Sequence, residues 1–233
     1  MYDGEVPSSQ LYQIPKIVDC IVATNPQSVL DVGVGFGKYG FLAREYLEVW
    51  DHDKPYGTFT RRIDGIEIFP EYLTPLHSYI YDEIFAGDAS ELAPALQRSY
   101  DLVLLIDVLE HFHREVGRAL LETLLARNSA VLVSVPRDLG EQEEVFANEH
   151  ETHHDTWTLA DLKTLSPLLS FGDRTSVIAL LAPRSHLREV RVRLLKRRVW
   201  RATSWSPRLS AVVRSVSRWR QGKNGLRRPI RHG

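Results

Sequence analysis

Leu30-Asp31-Val32-Gly33-Val34-Gly35-Phe36-Gly37-Lys38-Tyr39-Gly40 is the stretch on which the fold turns. It opens inside a short apolar run, Ser28 to Gly33, that reads as a buried strand. It leads into a helix expected from about Lys38 to Val49. Between the two, glycines let the backbone turn sharply and come close to a ligand. Gly35, Gly37 and Gly40 also satisfy the G-x-G-x-x-G spacing of a nucleotide-binding strand-to-helix turn. Alone the match is weak, since a tight turn without a ligand asks for the same glycines.

Upstream, Leu11 to Ala23 carries Ile14, Ile17, Val18, Ile21 and Val22 at helical spacing, and Asn25-Pro26 ends the run. Downstream, apolar runs at Ile63–Ile68, Ile84–Ala86, Asp101–Ile106 and Ala130–Val135 alternate with helices expected over Pro70–Tyr81, Leu92–Arg98 and Glu110–Arg127. These strands are continuously apolar rather than alternating, the pattern of a parallel sheet buried on both faces. After a helix near Leu159–Leu165, opened by a capping-box variant from Thr158 to Asp161, come Leu168–Phe171 and Val177–Leu181. Gly172-Asp173-Arg174-Thr175 between them reads as a hairpin loop.

Two acids strengthen the glycine loop. Glu67 ends the second strand, where a carboxylate can accept both hydroxyls of a ribose lying across the strand ends. Asp88 follows the third strand in Gly87-Asp88-Ala89, where it can accept the exocyclic amine of adenine. Here the chain resembles the class I S-adenosylmethionine-dependent methyltransferases. The matching pieces are Val29 to Gly37, Glu67, Gly87-Asp88-Ala89, and Tyr100 to His111, which ends Asp107-Val108-Leu109-Glu110-His111.

The resemblance covers roughly residues 10–183. It implies an α/β, Rossmann-like fold: a seven-stranded, mostly parallel sheet with helices on both faces and a C-terminal antiparallel hairpin. It implies S-adenosyl-L-methionine as cofactor, with Gly33, Gly35 and Gly37 along its methionine and ribose portion and Asp31 near its amino group. Glu67 would hold the ribose, Asp88 and Ala89 the adenine, and Asp107 the methionyl part. An NAD-dependent oxidoreductase is the rival for the same loop. Asp31 and Asp88 speak against it, since the dinucleotide pattern asks for neither. A cofactor-binding scaffold without turnover, and an RNA methyltransferase, stay open as further alternatives.

In open α/β sheets the substrate lies beyond the carboxyl ends of the strands. His111 is four residues past Asp107 and is a candidate general base, or a residue that only packs near the cofactor. The polar segment from Pro136 to Trp157 is long for a connection and reads as a lid or binding loop. His153 and His154 are candidate bases there, with Arg137, His150 and Trp157 shaping an acceptor pocket. A metal held by Asn148 to His154 is set aside, because this local His/Glu run has no familiar ligand spacing. The expected acceptor is a small molecule or a glycan or lipid intermediate.

The net charge of −1 hides a division. Residues 184–233 hold 16 Lys and Arg against one acid, whereas residues 1–183 hold 13 against 29 acids. The break near Pro183 separates a methyltransferase domain, 1–183, from a basic amphipathic helical tail, 184–233. Leu187, Val190, Leu194, Leu195 and Val199 share one helical face, and Leu209 to Trp219 repeats the pattern. Such helices suit an anionic membrane surface, here through residues 184–220, with nucleic acid or docking onto the acidic domain as alternatives. One cysteine excludes an internal disulfide framework, and Met1 to Glu5 lacks the basic and apolar regions of a signal peptide. The expectation is a cytoplasmic protein, peripheral at the inner membrane face.

Overall fold

The computed structural model describes residues 11–50, 55–137 and 152–204, so the expectations for His150 and for a helix over 209–219 lie outside the described residues. β1 (Ser28–Val32), β2 (Arg62–Glu67), β3 (Glu83–Ala86), β4 (Leu102–Ile106), β5 (Val131–Pro136), β6 (Leu168–Phe171) and β7 (Ser176–Leu181) form one seven-stranded sheet. Its order is β3-β2-β1-β4-β5-β7-β6. The first five strands run parallel, and β7 pairs antiparallel with both β5 and β6. β1 lies at the centre, with Val29 opposite Ile63 on one side and Leu102 on the other. Every residue of β4 is buried, so both faces of the sheet are covered.

The covering helices are α1 (Ile14–Thr24), α2 (Lys38–Arg44), α3 (Pro75–Ile80), α4 (Ala89–Ala95), α5 (Arg114–Arg127), α6 (Leu159–Leu165) and α7 (Arg184–Ser204). α1 packs beside α2, and α4 beside α5. α1 stops at Asn25, which adopts the left-handed conformation (φ 54°) and returns its N–H to the Ile21 carbonyl. α6 begins on the expected box: the Thr158 and Asp161 side chains each cap the other's backbone N–H.

Three expected helices differ from those observed. Pro70–Tyr81 divides into a short 3-10 turn (Pro70–Tyr72) and α3, because the residue before a proline is pushed out of the helical region, and Thr74 is extended (φ −123°, ψ 170°) ahead of Pro75. Glu110–Arg127 divides at Phe112 and His113, both extended in ψ, leaving a 3-10 turn (Leu109–His111) before α5. The helix placed at Leu92–Arg98 is α4, starting three residues earlier because the Asp88 side chain caps it through the Ser90 N–H at 2.7 Å.

The chain divides into two compact units, one through Arg191 and one from Val192. The composition break at Pro183 marks the junction of β7 and α7, and the first turns of α7 bury Leu187 and Val190 within the first unit. Among the described residues, no helix is long and apolar enough to cross a membrane.

Candidate functional site

The loop after β1 turns on three glycines of positive φ: Gly33 (73°), Gly35 (49°) and Gly37 (84°). At Gly33 a side chain is excluded twice, because a Cβ there would also stand 2.6 Å from Val108 Cγ2. Gly40 is needed for space alone, since a Cβ would meet the Tyr81 ring at 2.4 Å. Gly35 differs from these: a Cβ would meet nothing within 4 Å, so its edge of the loop is bare backbone open to a ligand.

Two buried side chains hold that edge in place. Glu67, 4% exposed at the end of β2, accepts the Gly35 N–H through Oε2 at 2.8 Å and the Phe69 N–H through Oε1 at 2.9 Å. His77 of α3 lies with Nε2 2.8 Å from the Gly35 carbonyl oxygen, while its Nδ1 accepts the Thr74 N–H at 3.0 Å. Gly35 is therefore gripped at both its N–H and its C=O. His77 escaped the sequence reading because it stands 42 residues from Gly35, on a helix that periodicity alone treats as packing.

Asp31 is enclosed at 2% exposure, and its Oδ2 accepts the Tyr81 hydroxyl at 2.6 Å. Burial pushes its carboxyl up to about 7; the bonds from Tyr81 and the Gly40 backbone lower it, and the Glu67 charge adds to the rise. Asp88 is half-buried at the start of α4, beside the buried Ala89. Asp107 follows β4 in the left-handed conformation (φ 54°) and accepts from Gln13 Nε2 at 2.5 Å. Gln13 is fully buried and also accepts the Ser134 hydroxyl at 2.7 Å, which pins the start of α1 across the ends of β4 and β5. This link, too, was missed, because its partners are 94 and 121 residues away. Lys38, at the head of α2, has its ammonium destabilised by burial against the opposing pull of Asp107.

The glycine loop, Glu67, Asp88 and Asp107 thus follow four neighbouring strands at their carboxyl ends. The crossovers diverge between β1 and β4, where an open α/β sheet offers its binding crevice. The dinucleotide arrangement places its sixth strand directly beside the fifth. Here an antiparallel β7 stands between β5 and β6.

No family model matches the chain, and no curated protein matches it. Solved structures do. An O-methyltransferase family protein from Burkholderia thailandensis gives a TM-score of 0.51 at 11% identity, over 73% of this chain and 56% of that one. The N-terminal domain of EvdMO1, determined in the presence of SAH and D-fucose, gives 0.51 at 14% identity over 79% and 89%. The N-methyltransferase NodS from Bradyrhizobium japonicum WM9 gives 0.51 at 10% identity over 74% and 97%. This chain has the class I methyltransferase fold.

Beyond the carboxyl ends of β4 and β5 lie the residues read from the sequence as an acceptor site. His111 ends the 3-10 turn after β4, and its Nδ1 donates to the Thr152 carbonyl at 3.2 Å. The Glu110 carbonyl accepts the N–H groups of His154 and Asp155 at 2.7 and 3.3 Å. These bonds lay the returning chain over the turn and bring the rings of His111 and His153 to 5.0 Å, and those of His113 and His154 to 4.4 Å. Two expected pocket residues are placed elsewhere. Arg137 is exposed and donates to the Asp173 carbonyl, at the β6–β7 loop. Trp157 is only 3% exposed; it packs in the core against Gly117, under the Arg114 guanidinium at 4.1 Å, so it supports the segment rather than lining a pocket.

Proposed function

We propose that this chain binds S-adenosylmethionine across the carboxyl ends of β1 to β4 and transfers its methyl group to a small-molecule, glycan or lipid-intermediate acceptor. The observation that carries the reading is the open backbone edge at Gly35, held by Glu67 and His77 beside the strand ends. The residues fit the cofactor: bare glycine backbone for its methionine and ribose portion, the Glu67 carboxylate for the ribose, and Asp88 with Ala89 for the adenine. Asp107 would face the methionyl part, with Asp31 near its amino group. When bound, the cofactor supplies an electrophilic methyl on a sulfonium.

The protein's own work is to hold the acceptor in line with that methyl and to exclude water. A hydroxyl or amine acceptor must also lose a proton. His111 and His153, brought together at the end of β4, are the groups we assign to receive it, with the exposed His154 one residue further out. The solved neighbours named above include both an O-methyltransferase family protein and an N-methyltransferase, so their likeness does not choose between acceptor atoms.

Calorimetric titration with S-adenosylhomocysteine, and with NAD in parallel, tests the cofactor. The homocysteine compound should bind and NAD should not. Glu67→Ala and Asp88→Ala should each weaken binding by about 1–3 kcal/mol, the cost of a lost buried hydrogen-bond partner. Binding of NAD alone, or of neither compound, would sink the reading.

A further inference from the structure

Glu110, His111 and His153 offer one ligand atom each, a carboxylate oxygen and two imidazole nitrogens, and all three lie within 4.8 Å of one another. Around an ion with bonds of about 2.0–2.2 Å, ligand atoms stand roughly 3–4 Å apart. The trio therefore needs only small side-chain adjustments to close on one.

The backbone has already done the assembly. Glu110 and His111 belong to the turn that follows β4. His153 is delivered from 42 residues further along by the bonds from His154 and Asp155 to the Glu110 carbonyl. The His111 Nδ1 bond to the Thr152 carbonyl fixes the tautomer, because a carbonyl only accepts; the ring's lone pair is then on Nε2. A backbone carbonyl on the far nitrogen is the usual outer support of a metal-ligating histidine. Glu110 is 1% exposed, and a carboxylate so far from water is stabilised most by a cation beside it.

We propose that Glu110, His111 and His153 bind a divalent transition-metal ion of the zinc, manganese or iron class. Two imidazoles and a carboxylate select such ions over magnesium or calcium, which prefer all-oxygen sets. Three protein ligands leave coordination positions open, as catalytic rather than structural sites do. The site begins three residues after Asp107, and Val108 between them is the side chain that approaches Gly33 most closely. The ion therefore stands beside the cradle for the methyl donor. Resting on the methyltransferase reading, its role is to bind the acceptor through oxygen and lower the pKa of that hydroxyl. With His111 and His153 holding the ion instead of serving as bases, the proton leaves to solvent or to the exposed His154. The oxygen's electron pair forms the new C–O bond as the C–S bond breaks, its pair staying on sulfur in S-adenosylhomocysteine. The acceptor class is then a hydroxyl compound.

The test is titration of the chelator-treated full chain with Zn2+, Mn2+ and Co2+, read by calorimetry and, for Co2+, by its visible ligand-field bands. One ion per chain is expected. Because loss of an outer-shell partner alone costs about 10–100-fold in affinity, Glu110→Gln and His153→Ala should each lose more than about 100-fold. His113→Ala, in the adjacent ring pair, should bind as the parent does. No binding by the parent chain, or binding that survives both substitutions, overturns the site. S-adenosylhomocysteine titration of the same samples is a separate arm: it reports whether the variants are folded, and its failure alone would sink the cofactor reading without touching the metal site.

Discussion

Asp31 sits in the central strand with its carboxyl buried and its pKa lifted to about 7. An unfolded aspartate titrates near 3.9, so between about pH 4 and pH 7 the unfolded chain has released this proton while the folded chain keeps it. The Asp31 contribution is therefore fully favourable below about pH 4 and declines as the pH rises to 7, by up to about 4 kcal/mol, and is flat above that. Asp31→Asn removes the titration, and its amide oxygen can still accept from Tyr81. Stability measured by urea unfolding should gain on the parent as the pH is raised from 5 to 8; parallel curves would show that Asp31 does not titrate as described. The positions of Glu67, Asp88 and Asp107 were legible in the sequence because each closes or follows an apolar run, where a strand-end position is fixed by the run itself; Asp31 was legible as the acid inside the first run, just ahead of the glycines. Tyr81, His77 and Gln13 were not, because their partners lie 42 to 121 residues away and only the folded sheet brings them near.

At the level of elements, strands were easier to read than helices. Hydrophobic runs such as Val103-Leu104-Leu105 admit one interpretation when bounded by turns. Helical periodicity ran on through Thr74 and through Phe112-His113, where a proline and a change of ψ interrupt the backbone without interrupting the pattern. Periodicity was equally silent about the wide π turn, Glu45–Val49, that extends α2. That turn carries Glu48, which accepts from Arg44 at 2.7 Å and from the N–H groups of Thr60 and Arg61. Burial acts to raise its pKa, but the two backbone N–H groups and the guanidinium more than offset this and hold it below the usual range. Arg44, 5% exposed, also bonds the Ile80 and Arg61 carbonyls and the Asp82 carboxylate, so one guanidinium ties α2 to α3 and to the edge of β2. Arg44→Met should cost about 3–5 kcal/mol, the penalty for a buried carboxylate left uncompensated. Adding Glu48→Gln should recover part of it. A double-mutant cycle by chemical denaturation measures the coupling, and simple additivity would show that the two residues act independently.

For the molecule as a whole, the sequence divides its charge more sharply than its structure divides its chain. Residues 192–233, the second compact unit, hold 13 Lys and Arg and no acid. Within α7, Val192, Leu195 and Val199 recur at the spacing of one helical face among these bases. Charge of this density does not help a 42-residue unit fold; it raises self-repulsion, so its use lies in what it attracts. From the combination of bases with an apolar stripe and the tryptophans Trp200, Trp205 and Trp219 we propose, as the tail's partner, a surface that is anionic and apolar just below, a lipid headgroup layer in preference to a nucleic acid. Each Lys or Arg near such a surface contributes about 1 kcal/mol, and the attraction fades with added salt. The full chain should therefore sediment with phosphatidylserine-containing vesicles at low salt, weakly with neutral ones, and leave both as salt is raised. A chain ending at Arg191 should stay in the supernatant while still binding S-adenosylhomocysteine. Equal sedimentation of the two chains would place any membrane affinity in the methyltransferase fold itself, and tight binding to RNA without binding to vesicles would make the tail a nucleic-acid arm.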